Sequence, residues 1–299
     1  MSEGEGAMGK ASEGALTGAG AEGSGNTCAG ENAGTGGDGS RVPLVDEEVT
    51  IVSNDKIAPS IYLMVLEAPQ IAAGLLPGQF VHLRVPDFCG HVLRRPFSVC
   101  SWNTGTGEIQ IMYQVVGSGT EALSTVKPGT PTRAIGPVGR GWEVPDGTGR
   151  ALLVCGGIGV APLMMLASEM CAEGIAVDVL LGATTADRLL GEEALTSVGA
   201  EVHTCTDDGS AGYHGFCTDL MDDYTACADY VAICGPAPME RIAVGKALES
   251  ENCRCEVSLE RRMACGIGAC LSCVVDTVDG KKRACIDGPV FDARKVVWR

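Results

Sequence analysis

Apolar and polar positions alternate over short stretches in residues 44–147. Four segments rich in β-branched and apolar residues are each bounded by Gly, Pro, Asn or Asp, and they read IYLMVLEA, QFVHLRVP, RPFSVCSW and IQIMYQVV. A period of two is typical of strands that have one covered face. Short strands at this spacing predict a small antiparallel β-barrel.

The pattern changes at Arg150, where apolar strands begin to alternate with helical stretches. The predicted strands are ALLVC, AVDVLLGA, EVHTCTDD and DYVAICG, with one helix over Ala161–Ala172 and another from Met239 to about Leu248. This alternation indicates a doubly wound parallel sheet, which we assign to residues 148–250. The remaining segment, residues 251–299, is rich in cysteine and too short for a sufficient core of its own.

Composition narrows the classes of protein that remain. Residues 1–43 consist almost entirely of Gly, Ala, Ser, Thr, Glu and Asn, so we predict a disordered tail that is not a secretory signal. The net charge of −16 argues against nucleic acid and anionic membranes as partners. The uncharged run from Ala151 to Ala167 contains Gly-Gly, a third Gly and Pro, and it predicts a buried strand, turn and helix, not a membrane span.

The chain has 15 cysteines, an odd number, which favours a reducing compartment such as the cytoplasm. Cys265, Cys270, Cys273 and Cys285 form the pattern C-x4-C-x2-C-x11-C. The first three have the spacing of plant-type [2Fe–2S] sites, and the two glycines between the first pair would let the loop curl around a cluster. A structural zinc site is the main alternative, although it usually pairs two C-x2-C knuckles, and unligated thiols or disulfides are the other.

Two glycine-rich turns follow strands of the predicted parallel sheet. CGGIGVAPL opens a helix after a strand, and CGPAPM follows a later strand on the same carboxyl edge. Such turns let the backbone approach a dinucleotide pyrophosphate, whose charge the helix N-terminus favours. The spacing departs from the full G-x-G-x-x-G pattern, so a simple tight turn stays open. The candidate nucleotide residues are Gly156, Gly157, Gly159, Pro162, Cys234, Gly235 and Pro236.

The predicted barrel carries two candidate sites of its own. In RRPFS, the Arg95 guanidinium suits a diphosphate and the Ser98 hydroxyl could reach the polar edge of a flavin. In GSGTEALSTV, Gly117, Gly119 and Thr120 open an apparent helix that predicts an anion site. A surface arginine and an ordinary glycine-rich connection are the respective alternatives.

The order of these motifs resembles the ferredoxin-NADP reductase superfamily, through PGQF, RRPFS, GGIGVAPL and CGPAPM. The segments EVSLERRMACGIGACLSCVV and RACIDGPVF narrow the resemblance to the family of electron-transfer subunits of NAD-linked (class 1B) dihydroorotate dehydrogenases, over residues 47–299. The resemblance implies FAD, one [2Fe–2S] cluster, NAD as substrate, and a separate FMN-containing catalytic subunit in a heterotetramer of two copies each.

Residue by residue, the resemblance implies a set of FAD contacts: Arg95, Pro96, Phe97, Ser98, Met112, Tyr113, Gln114, Gly119 and Thr120. It implies that Cys265, Cys270, Cys273 and Cys285 ligate the cluster, the first two on one iron and the last two on the other. Relatives in the superfamily often have Tyr at the position of Phe97. Some ferredoxin-linked relatives have Asp at the position of Cys265, so the cysteine favours the dihydroorotate branch.

The predicted function is a relay in pyrimidine biosynthesis, from the partner's FMN through the cluster and FAD to NAD⁺, with no catalytic side chain in this chain. One alternative is a reductase or diaphorase subunit of the same architecture that serves a hydrogenase, a ferredoxin or an oxygenase. Another is a non-catalytic FAD and iron–sulfur redox sensor. The choice between NAD and NADP stays open, because Asp187 and Arg188 favour opposite answers.

Overall fold

A computed structural model describes residues 43–86, 92–250 and 253–298. The predicted disordered tail therefore lies outside the described residues, except for Pro43. Within the described ranges, no helix combines the length and the apolar character that crossing a bilayer requires.

The first module is a closed barrel with the strand order β1-β2-β5-β4-β3-β6, in which all neighbouring strands are antiparallel. Its elements are β1 (Val45–Ala58), β2 (Ile61–Glu67), α1 (Pro69–Ala72), β3 (Phe80–Leu83), β4 (Arg95–Asn103), β5 (Glu108–Gln114), α2 (Ser118–Ser124) and β6 (Pro131–Val138). The predicted antiparallel barrel is confirmed, and the four predicted segments correspond to β2, β3, β4 and β5.

Two of the barrel strands, β1 and β6, were not predicted. In β1 the inward position of Glu47 is charged, which hides the alternation of covered and exposed positions. The Glu47 carboxylate is buried and accepts hydrogen bonds from the N–H groups of Gln70 and Ile71, both at 2.9 Å. A buried carboxylate needs such donors. A charged residue at this inward position is therefore explained only by the packing of α1, which supplies the two donors.

The second module is a seven-stranded sheet with the order β10-β9-β8-β7-β11-β12-β15. Its first elements are β7 (Arg150–Gly156), α3 (Ala161–Ala172), β8 (Ala176–Ala183), α4 (Glu192–Ser197), β9 (Glu201–Thr206), β10 (Tyr213–His214), α5 (Met221–Thr225), β11 (Tyr230–Cys234) and α6 (Ala237–Ala247). The predicted parallel sheet and its first helix are confirmed, whereas α6 begins at Ala237 and not at Met239.

The sequence pattern indicated that this domain closes near residue 250, but the sheet continues beyond that residue. The C-terminal segment adds β12 (Arg254–Ser258), parallel to β11, and β15 (Val290–Asp292), antiparallel to β12. Between them a hairpin forms from β13 (Val274–Thr277) and β14 (Gly280–Arg283). The cysteine-rich segment thus shares a hydrophobic core with the sheet, which compensates for its small size.

Pleating sorts the residues of the barrel into an inner and an outer set. Val81 belongs to the barrel core, so its neighbours Phe80 and His82 on β3 point outward. Their direct partners on β4 are Ser98 and Pro96, and directly opposed residues point to the same side. The outer face of β3 and β4 therefore combines two predicted flavin residues with a histidine.

The neighbouring strand β5 continues this outer face. Tyr113 lies in the barrel core, whereas Met112 packs outward against the core beneath α3. Gln114 lies on the same side as Met112 because side chains alternate along a strand.

Candidate functional site

The structure brings the four predicted cluster ligands together. Three lie on the loop between β12 and β13, and Cys285 follows β14. The Sγ atoms of Cys273 and Cys285 are 3.4 Å apart in the core, while Cys265 is half-buried and Cys270 is exposed. A disulfide would require about 2.05 Å between sulfurs. All four are free thiols, as metal ligation requires.

The four thiols differ in their electrostatic surroundings. Burial acts to raise the pKa of Cys265, but the N–H groups of Ile267, Cys270 and Ala269 and the Cys270 thiol lower that pKa to about 6. Burial and the adjacent Cys273 thiol raise the pKa of Cys285. Iron takes the place of the protons on such thiols and stabilises the thiolates. The donor set and the N–H groups aimed at sulfur fit an iron–sulfur cluster.

The loop between β12 and β13, residues 259–273, is called the cluster loop below. Two of its glycines are required both by their backbone conformation and by the lack of room for a side chain. Gly266 and Gly268 have φ values of +70° and +80°, a region that favours glycine. A Cβ on Gly266 would lie 2.5 Å from Nδ1 of His82, and a Cβ on Gly268 would lie 2.6 Å from Ile286. The loop is therefore pressed against the outer face of the barrel on one side and against the segment after β14 on the other.

The predicted flavin residues Arg95 and Gly119 meet at one end of the barrel. A Cβ on Gly119 would lie 2.6 Å from Nε of Arg95, so glycine is required for this contact. Within the described residues, no carboxylate lies within ion-pair distance of Arg95, whereas its neighbour Arg94 pairs with Asp46 at 3.0 Å. A buttressed guanidinium without a protein carboxylate fits a diphosphate.

The predicted flavin residues do not all present their side chains to the same surface. The Tyr113 hydroxyl donates to Oδ1 of Asn54 at 2.9 Å inside the barrel, and the Tyr113 ring lies 5.6 Å from that of Phe97. The Thr120 hydroxyl donates to the carbonyl of Gly117 at 3.0 Å. The side chains of Tyr113 and Thr120 are thus bonded within the protein, so these two residues can offer a cofactor only their backbones.

A cleft of about 490 Å³ lies at the carboxyl edge of the parallel sheet. Its walls include the predicted residues Gly156, Gly157 and Pro236, together with Gln114 from the barrel. Gly157 has a φ of +54° and open space where a Cβ would stand. The two predicted glycine turns and one flavin strand therefore line the same cleft, which is where a parallel α/β sheet binds ligands.

The other predicted nucleotide residues support the cleft from behind. A Cβ on Gly159 would lie 2.4 Å from the carbonyl oxygen of Cys234, so the two turns touch there. A Cβ on Gly235 would lie 2.8 Å from Cε of Met239. Pro162 is buried in the first turn of α3, and its carbonyl accepts a hydrogen bond from Trp142 at 3.0 Å.

Several lining residues were missed because they come from separate parts of the chain. They include Thr184, Asp207, Phe216, Thr218 and Ile242. Of the pair considered for nucleotide preference, Arg188 lines the cleft, whereas the Asp187 carboxylate accepts a hydrogen bond from Thr185. The usable signal for Asp207 was its place directly after β9, since residues after parallel strands converge on one edge.

Two family models match this chain. Residues 47–142 match the oxidoreductase FAD-binding domain, and residues 260–297 match the iron–sulfur cluster binding domain of dihydroorotate dehydrogenase B. The second match contains all four candidate ligands, which favours iron–sulfur over zinc at this site.

Similar proteins agree with these matches. An electron transfer subunit of dihydroorotate dehydrogenase B (NAD(+)) from Desulforamulus reducens is 40% identical over 249 residues, covering 81% of this chain and 94% of the relative. The subunit with the same name from Bacillus cereus (strain Q1) is 37% identical, covering 84% and 98%.

Two solved structures share the fold. A chain of the NADH-dependent reduced ferredoxin-NADP oxidoreductase, described for flavin-based electron bifurcation, is 31% identical with a TM-score of 0.75, covering 83% of this chain and 89% of that one. The ferredoxin reductase in carbazole 1,9a-dioxygenase has a TM-score of 0.58 at 23% identity, covering 69% and 66%.

The barrel with its candidate flavin residues, the cleft with its candidate nucleotide residues and the four-cysteine loop thus occur together in a chain that is similar to electron transfer subunits of dihydroorotate dehydrogenase B (NAD(+)) from two organisms. This chain belongs to the family of electron transfer subunits of dihydroorotate dehydrogenase B (NAD(+)), and it is an oxidoreductase subunit that uses FAD, an iron–sulfur cluster and NAD.

Proposed function

We propose that this chain connects a catalytic subunit, which holds FMN and oxidises dihydroorotate to orotate, with NAD⁺ in cytoplasmic pyrimidine biosynthesis. The two subunits would form a heterotetramer with two copies of each. The names of the relatives support the reaction. The free thiols among the described cysteines support a reducing compartment.

One observation carries the proposal: a single outer face of the barrel joins all three candidate sites. Gln114 on β5 lines the nucleotide cleft, Pro96 and Ser98 on β4 occupy the middle, and His82 on β3 contacts the cluster loop at Gly266. A flavin can exchange hydride with a nicotinamide and single electrons with an iron–sulfur cluster, so its natural place is the middle position.

The side chains of this chain bind and orient the cofactors, and none needs to act as an acid or base. Arg95, buttressed by Gly119, would hold the FAD diphosphate, while the turns at Gly156 and Pro236 would admit the nicotinamide nucleotide. The hydrogen bond from the Trp142 indole to the carbonyl of Pro162 ties the barrel to α3 and keeps the two sites in register.

The exposed side of the cluster loop is the proposed docking surface for the catalytic subunit. Cys270 is exposed there, and Ile267 and Leu271 are 50% and 62% exposed. Leu271 also adopts a φ of +58°, which is uncommon for a residue other than glycine. Apolar side chains held outward beside a redox ligand are suited to a partner surface.

Co-expression with a dihydroorotate-oxidising FMN subunit tests the proposal. The two proteins should purify together, with the mass of a two-plus-two assembly by light scattering, and the complex should reduce NAD⁺ when dihydroorotate is added. Failure of the pair to associate, combined with rapid bleaching of the flavin by NADH alone, would instead favour a reductase for another partner. A flavin that NADH does not bleach under anaerobic conditions would favour the redox sensor.

A further inference from the structure

Among the described residues, His82 is the side chain in which two buried polar atoms lack a hydrogen-bond partner. It is completely buried on the outer face of β3, and neither ring nitrogen has a hydrogen-bond partner among the described residues. Leaving a buried polar group without a partner is unfavourable, because the group loses its hydrogen bonds to water and gains none. Such a group in a folded protein calls for a missing ligand or a functional role.

The imidazole of His82 faces the cluster loop. Nδ1 is the atom that a Cβ on Gly266 would strike, at 2.5 Å, and Gly266 directly follows the candidate ligand Cys265. The close approach explains why this loop position must be glycine. It also brings a potential N–H donor to the point where the loop begins to wrap around its sulfurs.

His82 is equally close to the flavin strand. Its direct partner across the ladder is Pro96, and both side chains lie on the outer face of the barrel. Arg94 and Arg95 are near enough that their charges, after burial itself, lower the pKa of His82 to about 4. The imidazole is therefore neutral and has one N–H to donate.

We propose that His82 is a positioning residue that donates a hydrogen bond from its imidazole to sulfur at the Cys265 end of the cluster, and thereby makes the cluster easier to reduce. The inference rests on the four-cysteine site proposed above. Reduction adds negative charge that spreads onto the sulfurs, so a donor at sulfur stabilises the reduced form more than the oxidised form. A neutral donor achieves this without placing a buried charge beside the flavin.

Redox titration of the holoprotein, followed by the EPR signal of the reduced cluster, tests the proposal. In His82→Leu the equilibrium constant for reduction should fall about tenfold, which is about 59 mV for one electron. His82→Asn places an amide near the position of Nδ1 and should recover most of that shift. Phe80→Leu, a packing change on the same face, should leave the potential at its wild-type value.

A second measurement uses only the wild-type protein, so it does not depend on whether a variant folds. Pulsed EPR of wild-type holoprotein with ¹⁵N-labelled histidine should show a nitrogen coupling to the cluster that changes with the label. His203 on β9 and His214 on β10 are separated from β12 by three or more strands of the sheet, too remote from the cysteine loop to account for it.

The outcomes distinguish the role of His82 from the ligand set on which that role rests. Unchanged coupling on histidine labelling, or a His82→Leu potential equal to that of the wild type, would overturn the role of His82. Absence of any [2Fe–2S] signal from the wild-type holoprotein would instead contradict the ligand set on which it rests.

Discussion

The cluster loop and the nucleotide cleft are built in opposite ways. The loop holds three of its four candidate ligands within nine residues, from Cys265 to Cys273. The cleft draws its walls from two barrel strands, from the ends of several sheet strands and from α6, over positions from Ile61 to Ile242. A site that is local in sequence has a recognisable spacing, whereas a site assembled across the fold has none until the strands are ordered.

Gly266 and Gly268 in the cluster loop differ from Gly159 in the cleft in the reason that requires glycine. In the cluster loop Gly266 and Gly268 have left-handed φ values, so the backbone conformation itself requires them. At Gly159 the requirement is spatial: a Cβ would lie 2.4 Å from the Cys234 carbonyl, where the two turns of the cleft touch. The left-handed φ is a property of the loop itself, while the spatial requirement at Gly159 depends on Cys234, 75 residues away.

The largest effect should come from removing a cluster ligand. Cys270→Ser should lose most of the bound iron and acid-labile sulfide while FAD stays bound, because the ligands and the flavin residues belong to different modules. Metal analysis and the flavin absorbance measure both quantities on one sample. Cys227→Ser, at another exposed cysteine, is the matched control and should keep both cofactors. Concurrent loss of FAD from Cys270→Ser would contradict the independence of the two sites.

The candidate flavin site combines Arg95 from β4 with Gly119 from α2. It is therefore less local in sequence than the cluster loop, but it uses fewer separate elements than the cleft. Arg95→Ala should weaken FAD binding by about 1.5–3 kcal/mol, as expected for a charge-assisted hydrogen bond. FAD content after dilution and ultrafiltration is the measurement. Arg94→Ala removes only the partly exposed pair with Asp46, worth about 0.2–1 kcal/mol, and should retain FAD. Equal retention in the two variants would show that Arg95 does not hold the diphosphate.

A smaller effect is expected where the two turns of the cleft touch. Gly159→Ala should cost about 1–3 kcal/mol through overpacking against Cys234, raise KM for NADH and leave the cluster intact. Steady-state reduction of an artificial acceptor by NADH reports the change. Gly245→Ala, at an exposed position of α6 with open space around it, should instead stabilise the protein by up to about 1 kcal/mol. An unaltered KM in Gly159→Ala would show that the contact between Gly159 and Cys234 does not affect nucleotide binding.

A pH-dependent effect concerns a buried carboxyl behind the cleft. Glu240 accepts a hydrogen bond from the N–H of Gly235 at 3.3 Å, and burial raises the pKa of Glu240 from 4.5 to about 7. Because the folded state holds this proton more tightly, the contribution to stability is complete below pH 4.5 and is lost as the pH rises through about 7. Urea unfolding at several pH values should show Glu240→Gln gaining stability relative to the wild type over this window. A constant difference between the two proteins would contradict the raised pKa.

The sequence was most informative where the chain neighbours are also the spatial neighbours. The β4 segment, the helix over Ala161–Ala172 and the cysteine spacing each follow from a local period or count, and each is present. The strand β1 was missed because a buried glutamate interrupts its apolar pattern, and its donors lie on α1. The strand β12 was missed because its cysteines and charges concealed a segment that the core covers.

The sequence by itself determined the barrel, the parallel sheet, the four-cysteine pattern and the order of the three modules, since these depend on local alternation and spacing. Only the tertiary structure decided that Gln114 shares a cleft with Gly156, that Arg95 is buttressed by Gly119, and that His82 faces the cluster loop. The physical reason is that strand pairing and module packing convert distant positions into contacts. A side chain such as His82 belongs to no sequence pattern. That its ring nitrogens are buried without a partner follows only from the packing of the modules around it.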